Sequence, residues 1–150
     1  MKRVLGIDPG TTESSYVVWH GEKILEHGQI ENEMLLEFLL TGHYDFCAIE
    51  MMQSFGMAVG FTTFQTLVYI GRLYERSLSQ GKKTLLVPRG DIKMHHCMSM
   101  RAKDGNIAQA LRDKYGEKGT KKNPGLTYGL SKDKWQAFGV CTYVTENKLI

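Results

Sequence analysis

Glu50 closes the short aromatic and β-branched run at residues 44–49, in Ala48-Ile49-Glu50-Met51-Met52. A lone charge in an apolar strand is expensive unless a cation pairs with it or it coordinates a metal. Any fold for this chain must therefore bring Glu50 an arginine or a metal site. The same device opens the chain. The apolar run 4–7 ends on Asp8, in Gly6-Ile7-Asp8-Pro9-Gly10-Thr11-Thr12, and Pro-Gly turns the backbone sharply away. Asp8 either caps that turn or offers its carboxylate to a metal or phosphate.

The rest of the pattern sets these acids in a sheet. Apolar runs at 4–7, 16–19 and 24–30, broken by Pro9-Gly10 and His20-Gly21-Glu22, predict a three-stranded antiparallel meander. Met34, Leu35, Phe38 and Leu39 form the stripe of an amphipathic helix at 32–40, opened by Asn32. A right-handed crossover then leads to the strand that carries Glu50. A long helix is predicted at 61–78, with Phe61, Phe64, Leu67, Val68, Gly71 and Tyr74 on one side, and another buried strand at 84–87. Residues 91–100 and 107–115 read as helices, and the Gly- and Lys-rich stretch 116–129 reads as a loop. Ser131 is expected to cap a last helix over 132–144, whose first turn carries Asp133. The expected class is α/β: a mixed five-stranded sheet, three strands antiparallel and two parallel, flanked by helices, in one domain over residues 1–150.

Net charge is only +3, but its distribution is uneven: residues 101–134 hold nine Lys/Arg against four Asp/Glu, whereas residues 1–100 are slightly acidic. That segment is a basic face suited to a polyanion. Three widely spaced cysteines give neither a disulfide framework nor a zinc knuckle and fit a reducing cytoplasm. No signal peptide or apolar run of membrane-spanning length is present, so no membrane association is expected. His95-His96-Cys97 has no second ligand cluster and is assigned to structure, and the eight methionines are expected to fill core gaps or a dimer surface.

Together, Gly6-Ile7-Asp8-Pro9-Gly10, Ala48-Ile49-Glu50 and Asp133-Lys134-Trp135-Gln136-Ala137 resemble the RuvC family of Holliday-junction resolvases, within the RNase H-like superfamily. The likeness spans nearly the whole chain and looks closest to the phage-encoded branch. It implies an endodeoxyribonuclease that cuts four-way and other branched DNA in recombination, repair or phage DNA processing. The resemblance further implies a homodimer that acts in the cytoplasm of a bacterial host. It also implies two magnesium or manganese ions per site, as oxygen-only ligands favour. Asp8, Glu50 and Asp133 match the first three of the family's four acids. Gln136 stands at the fourth position, where an amide oxygen would coordinate without neutralising charge.

Lys93 and Lys103 resemble the basic residues with which the family holds scissile and flanking phosphates. Arg101, Lys118, Lys121, Lys122 and Lys132 are further candidates for the DNA backbone. Phe55 and Met57, in the apolar, glycine-flanked stretch after Glu50, are candidates for a wedge against unstacked bases. The Gly6–Thr12 motif also has the form of the phosphate hairpin of sugar kinases and actin-like proteins, but those need two such domains and a much longer chain. A catalytically impaired relative that binds junctions or RNA, with Gln136 in place of an acid, is the alternative reading.

Overall fold

The computed structural model describes residues 1–150. Its elements are β1 (Val4–Asp8), β2 (Glu13–Trp19), β3 (Ile24–Glu31), α1 (Asn32–Thr41), β4 (Phe46–Met51), α2 (Phe61–Ser79), β5 (Lys83–Pro88), α3 (Arg89–Cys97), α4 (Asp104–Tyr115) and α5 (Lys134–Glu146). They form a five-stranded sheet in the order β3-β2-β1-β4-β5. β1, β2 and β3 pair antiparallel, whereas β4 lies parallel to β1 and β5 parallel to β4. The expected mixed sheet is therefore the observed one. No helix is long and apolar enough to cross a membrane.

Strand alternation divides the core into two layers. Val4, Val17, Trp19, Phe46, Ala48 and Val87 face α3, α4 and α5 through Ile92, Ile107, Leu111, Phe138 and Val140. Leu5, Ile7, Val18, Cys47 and Ile49 face α1 and α2 through Leu35, Leu39, Ile70 and Leu73. β1 and β4, covered on both faces, read as near-continuous apolar runs for that reason.

Helix α5 lies almost on the backbone of β1, and Gly6 permits this. A β-carbon there would meet Cys141 Sγ and fall 2.6 Å from the Ala137 carbonyl.

Several local expectations are corrected. Asn32 does not cap α1, because Glu31 holds that position. Its buried side chain instead pins the β1–β2 turn: Oδ1 accepts from Ser14 Oγ at 2.8 Å, and Nδ2 donates to the Gly10 and Thr11 carbonyls at 3.0 and 3.1 Å. Ser131 does not cap α5 either, since Asp133 is the N-cap residue and no side-chain cap bond forms. α3 starts at Arg89 and stops at Cys97, where Met98 adopts a left-handed φ of 56°. The 116–129 loop is anchored by buried Thr127, which donates to the Gly116 carbonyl at 3.0 Å. No methionine is fully buried; Met34, Met57, Met94 and Met98 are exposed. In α2 the inward residues are Thr66, Tyr69, Ile70, Leu73 and Ser77, so Phe61, Phe64 and Val68 of the predicted stripe face outward.

Because α5 rests on Gly6, Gly6→Ala is expected to destabilise the fold by roughly 1–3 kcal/mol through overpacking. Urea unfolding measures this, and a wild-type midpoint in the variant would refute the close approach.

Candidate active site

Two acids meet because two parallel strands end together. Gly6 pairs with Ala48 and Ile7 with Ile49, so the next step sets Asp8 beside Glu50. Alternation puts Asp8 on the face of Val4 and Gly6, and Glu50 on that of Phe46 and Ala48, both beneath α5. Across β2 the partner of Asp8 is Ser15, whose buried hydroxyl has no hydrogen-bond partner. Asp133 arrives from the N-terminus of α5 with its carboxylate unspent on capping, close enough for its charge to act on Asp8.

Glu50 is 5% exposed and Asp8 half-buried. The Asp8 carboxyl is pushed up to about 10, first by burial, then by the charge of Glu50 and a hydrogen bond with it, and further by Asp133; Arg89 opposes the rise. A neighbouring carboxylate adds to the cost of ionising Asp8. Asp8 is not the turn's cap: Ser14 Oγ accepts from Gly10 N–H at 3.0 Å, and Asn32 secures the rest.

An arginine does reach Glu50. Arg89 Nη1 stands 3.8 Å from Glu50 Oε2, beyond hydrogen-bonding distance, while its Nη2 donates to Asp104 Oδ1 at 2.6 Å. One shared guanidinium leaves the acids undercompensated. An all-oxygen donor set, an unspent carboxylate and an unpartnered buried hydroxyl fit a hard divalent cation such as magnesium or manganese, held by Asp8, Glu50 and Asp133.

Gln136, at the fourth position, sits in α5 one turn after Asp133. It is buried, and its Nε2 donates to the Asp104 carbonyl at 3.0 Å. Lys118 and Lys132 line one cleft with Asp104, Arg112, Asp133 and Gln136. Arg101 and Lys103 are exposed between α3 and α4, Lys121 and Lys122 are exposed on the 116–129 loop, and Lys93 is half-buried on α3. Phe55 and Met57 are strongly exposed, at 61% and 75%, and Phe55 holds a left-handed φ of 50°.

The structure adds to His95 and His96 a partner that the sequence did not announce: Glu146, with the ligand atoms of all three within 4.8 Å of one another. His95 Nε2 lies 3.2 Å from Glu146 Oε2, Lys114 pairs with Oε1 of the same carboxylate, and His96 Nε2 lies 2.9 Å from the Gly139 carbonyl. Burial pushes His96 down to about 4. Sequence reasoning missed Arg89 and Asp104. The available signal was Arg89's place directly after the strand next to the one bearing Glu50.

No protein-family model and no curated protein sequence matches this chain. Solved structures do. RuvC of T. thermophilus in complex with a Holliday junction substrate superposes with a TM-score of 0.76 at 14% identity, covering 99% of this chain and 95% of that one. A second Thermus thermophilus RuvC structure gives 0.70 at 15% identity, over 97% and 96%. The fold is thus RuvC-like, of the RNase H-like α/β class.

The raised Asp8 carboxyl fixes the sign of a pH effect. The folded chain keeps a proton there that the unfolded chain, at the ordinary value of 3.8, releases, so metal-free stability falls as pH rises between 3.8 and about 10. Asp8→Asn, which cannot ionise, is expected to melt higher than wild type by roughly 5 °C near pH 8 without metal. The gap should shrink toward pH 4. A gap independent of pH in calorimetry would contradict the buried acid pair.

Proposed function

We propose that this chain is a single-domain, divalent-metal-dependent endodeoxyribonuclease that resolves Holliday and other branched DNA junctions. The observation that carries the reading is the convergence of Asp8, Glu50 and Asp133 at one end of a RuvC-like sheet. RuvC of T. thermophilus is known bound to such a junction. The sequence resemblance to phage-encoded resolvases agrees with it and points to the cytoplasm of a bacterial host as the place of action.

Bound at these carboxylates, two magnesium or manganese ions would supply Lewis acidity and an activated water for in-line phosphodiester hydrolysis. The chain's own residues prepare that chemistry. Asp8 at the end of β1, Glu50, set by β4, and Asp133, set by α5, are the carboxylates that would hold the ions, Asp8 doing so in its ionised form. Lys118, Lys132 and Arg112 make the cleft wall cationic, which draws a phosphate toward the acids. Lys93 and Lys103 steady charge on the scissile and flanking phosphates, and Arg101, Lys121 and Lys122 follow the backbone without reading bases. Phe55 and Met57, exposed beyond β4, act as the wedge at the junction centre.

Symmetric incision of a four-way junction needs two sites related by a two-fold axis. The outward face of α2, with Phe61, Phe64 and Val68 exposed at 75%, 55% and 69%, supplies the homodimer contact.

The test is a labelled four-way junction beside its linear duplex, in magnesium and in EDTA. Paired nicks near the crossover in magnesium alone are expected, absent from the duplex and from Asp8→Asn. Binding without nicks under any divalent metal would sink the nuclease and favour a binding module. Val68→Asp is expected to yield a monomer by light scattering and to uncouple the paired nicks. Replacing Lys121 and Lys122 by Ala should lower the slope of log affinity against log salt by about 2.

A further inference from the structure

We propose that Asp104 supplies the fourth carboxylate of this site, in place of the acid that Gln136 replaces. The inference rests on the reading of Asp8, Glu50 and Asp133 as a cation site and names one more ligand for it.

Three observations converge on Asp104. Its carboxylate and that of Glu50 meet a single guanidinium: Arg89 Nη2 is 2.6 Å from Asp104 Oδ1, and Arg89 Nη1 is 3.8 Å from Glu50 Oε2. A cationic side chain therefore already bridges these two acids. Asp104 also lines the same cleft as Asp133. Finally, Gln136 donates from Nε2 to the Asp104 carbonyl at 3.0 Å. The residue at the fourth-acid position thus fixes the start of α4 and, with it, the Asp104 side chain.

Charge points the same way. Two divalent ions bring four positive charges, and Asp8, Glu50 and Asp133 return three negative ones. Asp104 makes the balance. An acid in the first turn of α4 is also favoured by the helix dipole, but the dipole alone does not explain a carboxylate pointed at the guanidinium beside Glu50. On this account Arg89 is a resident cation. It links Glu50 and Asp104, and a divalent ion held by these acids would compete with it.

Mn2+ binding, followed by loss of the free-ion paramagnetic resonance signal, reads this without depending on cleavage. Wild type is expected to bind two ions and Asp104→Asn to lose one, or to weaken it at least tenfold, with Asp104→Glu restoring it. Arg89→Gln, which removes the competing charge, is expected to bind Mn2+ more tightly than wild type. Equal stoichiometry and affinity in wild type and Asp104→Asn would overturn the assignment. Should Asp104→Asn fail to fold by circular dichroism, Arg89→Gln decides: unchanged or weaker Mn2+ binding overturns it. A wild type that binds Mn2+ but nicks no junction ends the nuclease reading, while the titration still decides the ligand. A wild type that binds no Mn2+ ends both.

Discussion

Two carboxylates held against each other at the ends of adjacent parallel strands are the constraint on which the molecule turns. Asp8 and Glu50 repel when both are ionised, and burial removes the water that would soften the repulsion. The Asp8 carboxyl accordingly stays protonated far above its ordinary range, up to about 10. The pair therefore costs the metal-free fold stability that an uncharged residue at either position would not.

The surrounding structure keeps that pair in place. Gly6 lets α5 settle on β1, which brings Asp133 over the sheet end. Asn32, in place of capping α1, ties the turn after Asp8 to β2, while its own carbonyl accepts from Tyr69 of α2 at 3.2 Å. Thus both layers of helices, above and below the sheet, bear on the position of one carboxylate. Arg89, shared between Glu50 and Asp104, links the third edge of the site through the end of β5.

Much of this was legible from residue pattern. Period-two alternation and turn punctuation gave the strands, and the expense of a charge in an apolar strand singled out Glu50 before any contact was known. Contacts between distant positions were not legible. The Arg89–Asp104 pair and the Gln136–Asp104 bond join residues fifteen and thirty-two positions apart, with no periodic signature to announce them. Side-chain caps at Asn32 and Ser131 were misread because local propensity cannot see a tertiary partner or its lack. On α2 the apolar stripe was real but its direction was ambiguous. The inward face includes Thr66 and Ser77, whose hydroxyls are satisfied by the Thr62 carbonyl and by Thr84, leaving Phe61, Phe64 and Val68 outside.

At 14–15% identity the two RuvC structures share this chain's fold and little of its sequence. What ties the fold to chemistry here is the acid cluster, and it can be tested directly. Crystals soaked in Mn2+, with diffraction recorded at the manganese absorption edge, would show where the ion goes. The account predicts anomalous density bridging the carboxylates of Asp8, Glu50 and Asp133. Clean soaked crystals with no density there, or with manganese only at His95, His96 and Glu146, would contradict it.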